Sequence, residues 1–107
     1  MTPQSISVSV DADRALVSLE GEHEAYTADK LARQLNALLT EGVGITIDLR
    51  RAVFVDSTVM GVLMAARKRA AAAGLPFVLQ LGAETGWPVR RLLEVTGLET
   101  HFDLADT

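Results

Sequence analysis

The residues best placed to do chemistry are Asp56, Ser57 and Thr58, in the stretch Phe54-Val55-Asp56-Ser57-Thr58-Val59-Met60-Gly61. An apolar β-type run ends at an acid, two hydroxyls follow, and a helical pattern begins. Hydroxyls then stand at a helix N-terminus, where free N–H groups and the helix dipole favour negative charge. Asp56 is a strong N-cap, worth about 1 kcal/mol to a helix. The site can be a plain cap, or a place to attach a phosphate. On a wheel at about 100° per residue, Val59, Val62, Leu63, Ala66, Ala70 and Ala73 gather on one side, which should press on a sheet. Ser57, Met60, Gly61, Met64 and Lys68 gather on the other. Ser57 is therefore expected to point outward, as an accessible acceptor must. Methionine is flexible and favoured at adaptable binding surfaces. Ser57, Met60, Gly61 and Met64 are thus a candidate docking face, and the alternative is that the methionines cover a neighbouring helix.

Other chemistries are poorly supplied. With no cysteine, disulfides, thiolate metal sites and a cysteine nucleophile are excluded. That fits a reducing cytoplasm. Glu22, His23 and Glu24 could be drawn as a metal site, but sequence neighbours rarely converge on one ion, so no metal or other cofactor is expected. His23 and His101 are the two histidines, and no Gly-x-Ser-x-Gly elbow surrounds Ser57. An enzyme is not expected. Gly42-Val43-Gly44 lacks the lysine and spacing of a phosphate loop. Formal net charge is −4 with no long basic stripe, which argues against nucleic acid. The longest apolar run, Val59 to Ala66, is too short to span a bilayer, so no membrane insertion is expected. Met1 to Ser5 leads straight into an alternating strand, with no signal-peptide pattern.

The elements that must position Ser57 follow from periodicity. Ile6, Val8 and Val10 alternate with serines, Asp11-Ala12-Asp13 turns the chain, and Ala15, Val17 and Leu19 alternate again, so an antiparallel hairpin is predicted. Gly21-Glu22-His23-Glu24 reads as a loop. Thr27 reads as the N-cap of a helix carrying Leu31, Leu35, Leu38 and Leu39, stopped by Gly42. Ile45, Ile47 and Leu49 mark a third strand, and Val53-Phe54-Val55 continues or re-enters the sheet. A helix over 57–73 ends at Gly74. Phe77, Leu79 and Leu81 mark a further strand, and Pro88 opens a helix closed by Gly97. His101-Phe102 reads as a short last strand. The 107 residues suggest one domain over 1–107. Its aliphatic core is implied by 49% hydrophobic and 5% aromatic residues. The expected class is α/β, a sandwich of helices around one mixed sheet of four to five strands.

Three stretches resemble the STAS family, the domain shared by sulfate transporters and anti-sigma factor antagonists. They are Leu19-Glu20-Gly21-Glu22 with Thr27-Ala28, Ile47-Asp48-Leu49 leading to Phe54–Thr58 with Gly61-Val62-Leu63, and Val89–Leu93 with Thr96-Gly97-Leu98. The resemblance spans about Ile6 to Phe102 and implies a single STAS-like α/β domain, a mixed β-sheet with α-helices packed mainly on one face. It implies a small phosphoswitch, in which an anti-sigma factor that is also a serine kinase phosphorylates the Ser after the Asp. That position matches Ser57, with Thr58 as a secondary acceptor and Asp56 shaping the site. Glu22 and Glu24 fall in the loop that joins Met60, Gly61 and Met64 as partner-binding positions. The unphosphorylated antagonist binds the kinase, which releases its sigma factor and so regulates transcription, and a phosphatase restores binding. The alternatives under the same resemblance are a soluble STAS subunit of a membrane transport system, for example for phospholipids, and a scaffold module of a stress-signalling complex, and the Asp-Ser-Thr site favours the antagonist. The chain departs from the family pattern at Val59, where Gly is common, at His23-Glu24, where Leu-Asp is common, and at Gly86-Trp87-Pro88, where Ser-Pro is common.

Overall fold

The computed structural model describes residues Gln4–Asp106; the signal-peptide expectation falls partly on Met1–Pro3, outside the described residues. Strands β1 (Ser5–Asp11) and β2 (Arg14–His23) form the predicted antiparallel hairpin. Helix α1 (Ala25–Thr40) leads to β3 (Gly44–Asp48), which lies parallel to β2. After β4 (Ala52–Val55) comes α2 (Ser57–Ala72), then β5 (Phe77–Leu81), α3 (Trp87–Thr96), a 3₁₀ turn (Leu98–His101) and β6 (Asp103–Asp106). The main strand order is β1-β2-β3-β5-β6, with β4 paired to β2 beyond the end of β3.

Alternation decides which face of the sheet is dry. Val17 and Leu19 on β2, Ile45 and Ile47 on β3, and Leu79 and Leu81 on β5 are buried. Between them Ser18, Thr46, Asp48 and Val78 are only partly covered. One face therefore carries the helices and the other stays open to solvent. Leu31, Leu35, Leu38 and Leu39 of α1 and Val89 and Leu93 of α3 complete one aliphatic core. Among the described residues, no helix is long and apolar enough to cross a membrane.

Four local expectations need correction. Gly21–His23 is strand, not loop: Gly21 takes φ +81°, a conformation that suits glycine, at a bulge where β2 leaves β3 and pairs with β4. Tertiary pairing thus overrides a polar, loop-like sequence. Helix α1 starts earlier, with Glu24 rather than Thr27 at its N-cap position, and the Thr27 hydroxyl donates to the Glu24 carbonyl at 2.9 Å. Ala73 is the exposed C-cap of α2 and does not face the sheet. The sheet has six strands rather than four to five, because β4 pairs with β2 as a strand of its own, and the last strand begins at Asp103 rather than His101. His101 ends the 3₁₀ turn, and Phe102 is buried with its ring 6.2 Å from that of Phe77.

Candidate functional site

The strand-to-helix corner at Asp56 is built by the switch of β2 from one partner to another. Asp48 closes a tight turn after β3, accepting the Arg50 N–H at 3.0 Å, and the Ala52 N–H donates to the Leu49 carbonyl at 3.1 Å. That turn feeds β4 alongside the end of β2, pairing Glu22 with Phe54 and His23 with Val55. The Asp56 N–H then donates to the His23 carbonyl at 3.1 Å, which ties the two strand ends together. Glu22, Glu24, Asp56, Ser57 and Thr58 are so gathered at one end of the sheet, the carboxyl ends of β2 and β4. In open α/β sheets this is the end where ligands and partners are usually met.

At the corner, Asp56 keeps an extended backbone (φ −90°, ψ 178°), and its Oδ1 accepts the Val59 N–H at 2.9 Å. Its carbonyl receives the Met60 N–H at 3.0 Å, so the helix begins immediately. The capping work is done by Asp56, and Ser57 and Thr58 stand exposed in the first turn. Val59 is fully buried, so the bulk found where Gly is common becomes part of the core.

His23, between the exposed Glu22 and Glu24, is completely buried. Its Nε2 lies 2.9 Å from the Glu20 carbonyl. A carbonyl only accepts, so Nε2 carries the proton. The side chain turns inward while its two acidic neighbours face water, so the three do not converge as metal ligands would. Among the described residues, no cluster of His, Asp and Glu has the geometry to hold a metal.

Met60 corrects the helical wheel. It is 2% exposed and belongs to the core, and Met64 is partly buried against that core. Helix α2 is covered on both flanks. On one, Gly61, Ala65 and Arg69 border a cleft shared with Ala32 and Asn36 of α1. On the other, helical spacing groups Met60 and Met64 with Arg67, which lines a small cleft with Phe77 and His101. A wheel drawn from one segment ranks its own residues and cannot register which of them other segments cover. The exposed face of α2 is Ser57, Thr58, Gly61, Ala65 and Lys68. An ideal Cβ at Gly61 meets no atom within 4 Å, so that face is open.

One feature of the site lies far from it in sequence. A groove of about 430 Å³ runs from Ser57 across to α3, walled by Phe54, Trp87, Leu92 and Val95. Trp87 is 71% exposed and Val95 59%. The sequence signal was Gly86-Trp87-Pro88, a lone tryptophan at a helix start, but nothing local said which element it would face.

A family model described as "Mlab, STAS domain" matches residues 6–105. Anti-sigma-B factor antagonists of Listeria monocytogenes and Listeria innocua are each 34% identical over 104 residues, covering 94% of this chain and 89% of theirs. Among solved structures, an anti-sigma factor antagonist from Mycobacterium paratuberculosis superposes with a TM-score of 0.83 at 24% identity, covering 98% of this chain and 87% of that one. SpoIIAA superposes in its unphosphorylated form with a TM-score of 0.76, covering 96% of this chain and 89% of that one. Its phosphorylated form gives 0.77, covering 96% and 91%, each at 15% identity. The order of elements, the Asp-capped corner and these matches lead to one conclusion: the chain belongs to the STAS domain family.

Proposed function

We propose that this protein is an anti-sigma factor antagonist that acts by regulated binding, with Ser57 as the residue whose phosphorylation ends the binding. The observation that carries this is the division of labour at the corner: Asp56 caps α2 through Val59, and the Ser57 hydroxyl is left on the surface. Its relatives named as anti-sigma-B factor antagonists support the class of partner. The partner is an anti-sigma factor that is also a serine kinase, a phosphatase reverses the mark, and Thr58 is a secondary acceptor. The protein supplies no catalysis, and the phosphoryl chemistry belongs to the partner.

The physical route is short. A phosphate adds about −1.5 to −2 charges at pH 7. The first turn of α2 tolerates negative charge, while Asp56 next door repels it. The fold need not change, in keeping with the nearly equal likeness to SpoIIAA in its two forms. A partner surface fitted to a neutral hydroxyl loses complementarity through charge and desolvation. Glu22, Glu24 and Gly61 flank Ser57 on the face that such a partner would cover. Met64 contributes at the margin and Met60 only from beneath.

The test is incubation with the anti-sigma kinases of the source organism and ATP, with the modified residue located by mass spectrometry. Modification at Ser57 is expected. Ser57→Ala should retain binding and Ser57→Asp should bind weakly. Equal affinities for the two variants, or phosphate found only elsewhere, would overturn the proposal.

A further inference from the structure

Helix α3 is apolar on two sides. Val89 and Leu93 enter the core, while Pro88, Leu92 and Val95, at helical spacing, line the groove with Trp87. Elsewhere the exposed large apolar side chains, such as Val10, Tyr26 and Leu104, lie on other elements. The groove is also pre-formed. The Gly86 N–H donates to the Ala52 carbonyl at 2.8 Å, and a Cβ on Gly86 would sit 2.1 Å from the Val53 carbonyl oxygen. The start of α3 is therefore pressed onto the β4 backbone. Buried Thr85 donates its hydroxyl to the Leu49 carbonyl at 2.9 Å, and Arg90 donates to the Gly82 carbonyl at 2.7 Å. Trp87 projects from a fixed frame, so a partner has little ordering to impose on this wall.

We propose that this groove is the specificity-determining half of the partner interface, and that it receives an apolar side chain flanked by a carboxylate from the anti-sigma factor that reads Ser57. The inference rests on the antagonist function proposed above. It deepens it by saying how one antagonist is matched to its own partner. Continuity carries the choice of occupant: Ser57 and Asp56 form one lip of the groove, so a protein covering Ser57 also meets Trp87. Charge carries the second half. Arg91 is the cation of the groove, and it is held by Glu94 at 3.1 Å in an exposed pair. Such pairs contribute little, so a partner carboxylate can replace Glu94 at small cost. Phosphate on the Ser57 lip would then repel that same carboxylate. The hydroxyl and the groove are read together by one segment of the partner.

Trp87 is the only tryptophan in the chain, which makes the test direct. The full chain, labelled with 5-fluorotryptophan, is titrated with each purified anti-sigma factor by calorimetry and ¹⁹F NMR. The expected result is a shifted, solvent-protected Trp87 resonance on binding. Trp87→Ala and Val95→Lys should each weaken binding at least 30-fold, as a central aromatic anchor does. Both side chains are exposed, so thermal unfolding should be unchanged. Arg91→Ala should weaken binding about fivefold and narrow the affinity gap between the unmodified chain and Ser57→Asp. If Ser57→Asp loses binding while Trp87→Ala and Val95→Lys stay within twofold, the groove assignment is wrong and the antagonist function stands. If no anti-sigma factor binds the unmodified chain, that function falls, and the groove assignment with it. Protection of Trp87 by self-association, seen by sedimentation without any partner, would also overturn the assignment.

Discussion

Two aspartates at strand ends, Asp48 closing β3 and Asp56 just after β4, begin from the same chemistry and finish differently. Each accepts a backbone N–H just downstream, Asp48 from Arg50 and Asp56 from Val59. Asp48 is then saturated. Arg50 adds Nε to Oδ1 at 2.9 Å and Nη2 to Oδ2 at 3.0 Å, and the Ser18 hydroxyl donates to Oδ2 at 3.1 Å. The serine beside that acid is consumed by structure, in a polar depression of about 470 Å³ on the open face of the sheet. At Asp56 the carboxylate serves the helix and the adjacent hydroxyl of Ser57 is left free. The difference is that a serine beside an aspartate stays on the surface where the acid is satisfied by the backbone, as at Asp56, and is tied down where the acid takes its hydroxyl, as at Asp48.

The largest expected effect tests the packing beneath the Asp56 corner. Met60→Ala should lower stability by about 3 kcal/mol, as removal of a fully buried methionine side chain does. Ser57→Ala, one turn away but on the surface, should change it by less than about 0.5 kcal/mol. Urea denaturation of the two variants measures the contrast, and similar losses would contradict the burial of Met60. Next comes Asp56→Ala, which removes the cap of α2 and should cost about 1 kcal/mol. If the midpoint of unfolding does not move, the acid is not the cap, and the claim that it frees Ser57 fails.

An effect that fades with acid sharpens the other side of the comparison. Hydrogen bonding to Arg50 holds the Asp48 carboxyl below its ordinary value, against the opposing pull of partial burial. A carboxyl with a depressed value in the folded state binds its proton less readily than the unfolded chain does. Its stabilisation is therefore complete above the unfolded value, near 3.9, and fades as pH falls through the folded one. With Arg50 half exposed, Asp48→Asn should cost about 1 kcal/mol at pH 7. The deficit should shrink below about pH 4. Thermal unfolding followed from pH 7 to pH 3 would show whether the deficit instead stays constant, which would mean that the ion pair is not its source.

Much of this was legible in the residues. Leu31, Leu35, Leu38 and Leu39 mark the buried stripe of α1, Pro88 and Gly97 bracket α3, and Asp56 announces the start of α2. Each signal lies within one segment, and local sterics and hydrogen bonds are enough to produce it. The length of β2 was not legible, because Glu22 and His23 are strand only through their pairing with Phe54 and Val55. The last strand was misplaced because Phe102 is drawn inward against Phe77, which delays pairing to Asp103.

By itself the sequence determined that a strand gives way to a helix at Asp56, because the apolar run, the capping acid and the helical repeat all lie within one segment. The structure then shows Ser57 exposed beside the cap. The tertiary structure decided that Met60 is core, since a wheel cannot register a second covered flank. It also decided that Trp87 and Val95 share a groove with Ser57, because β5 carries the chain across the sheet before α3 returns to lie against β4. Contacts between distant segments depend on where strands pair, and strand pairing is a property of the whole chain.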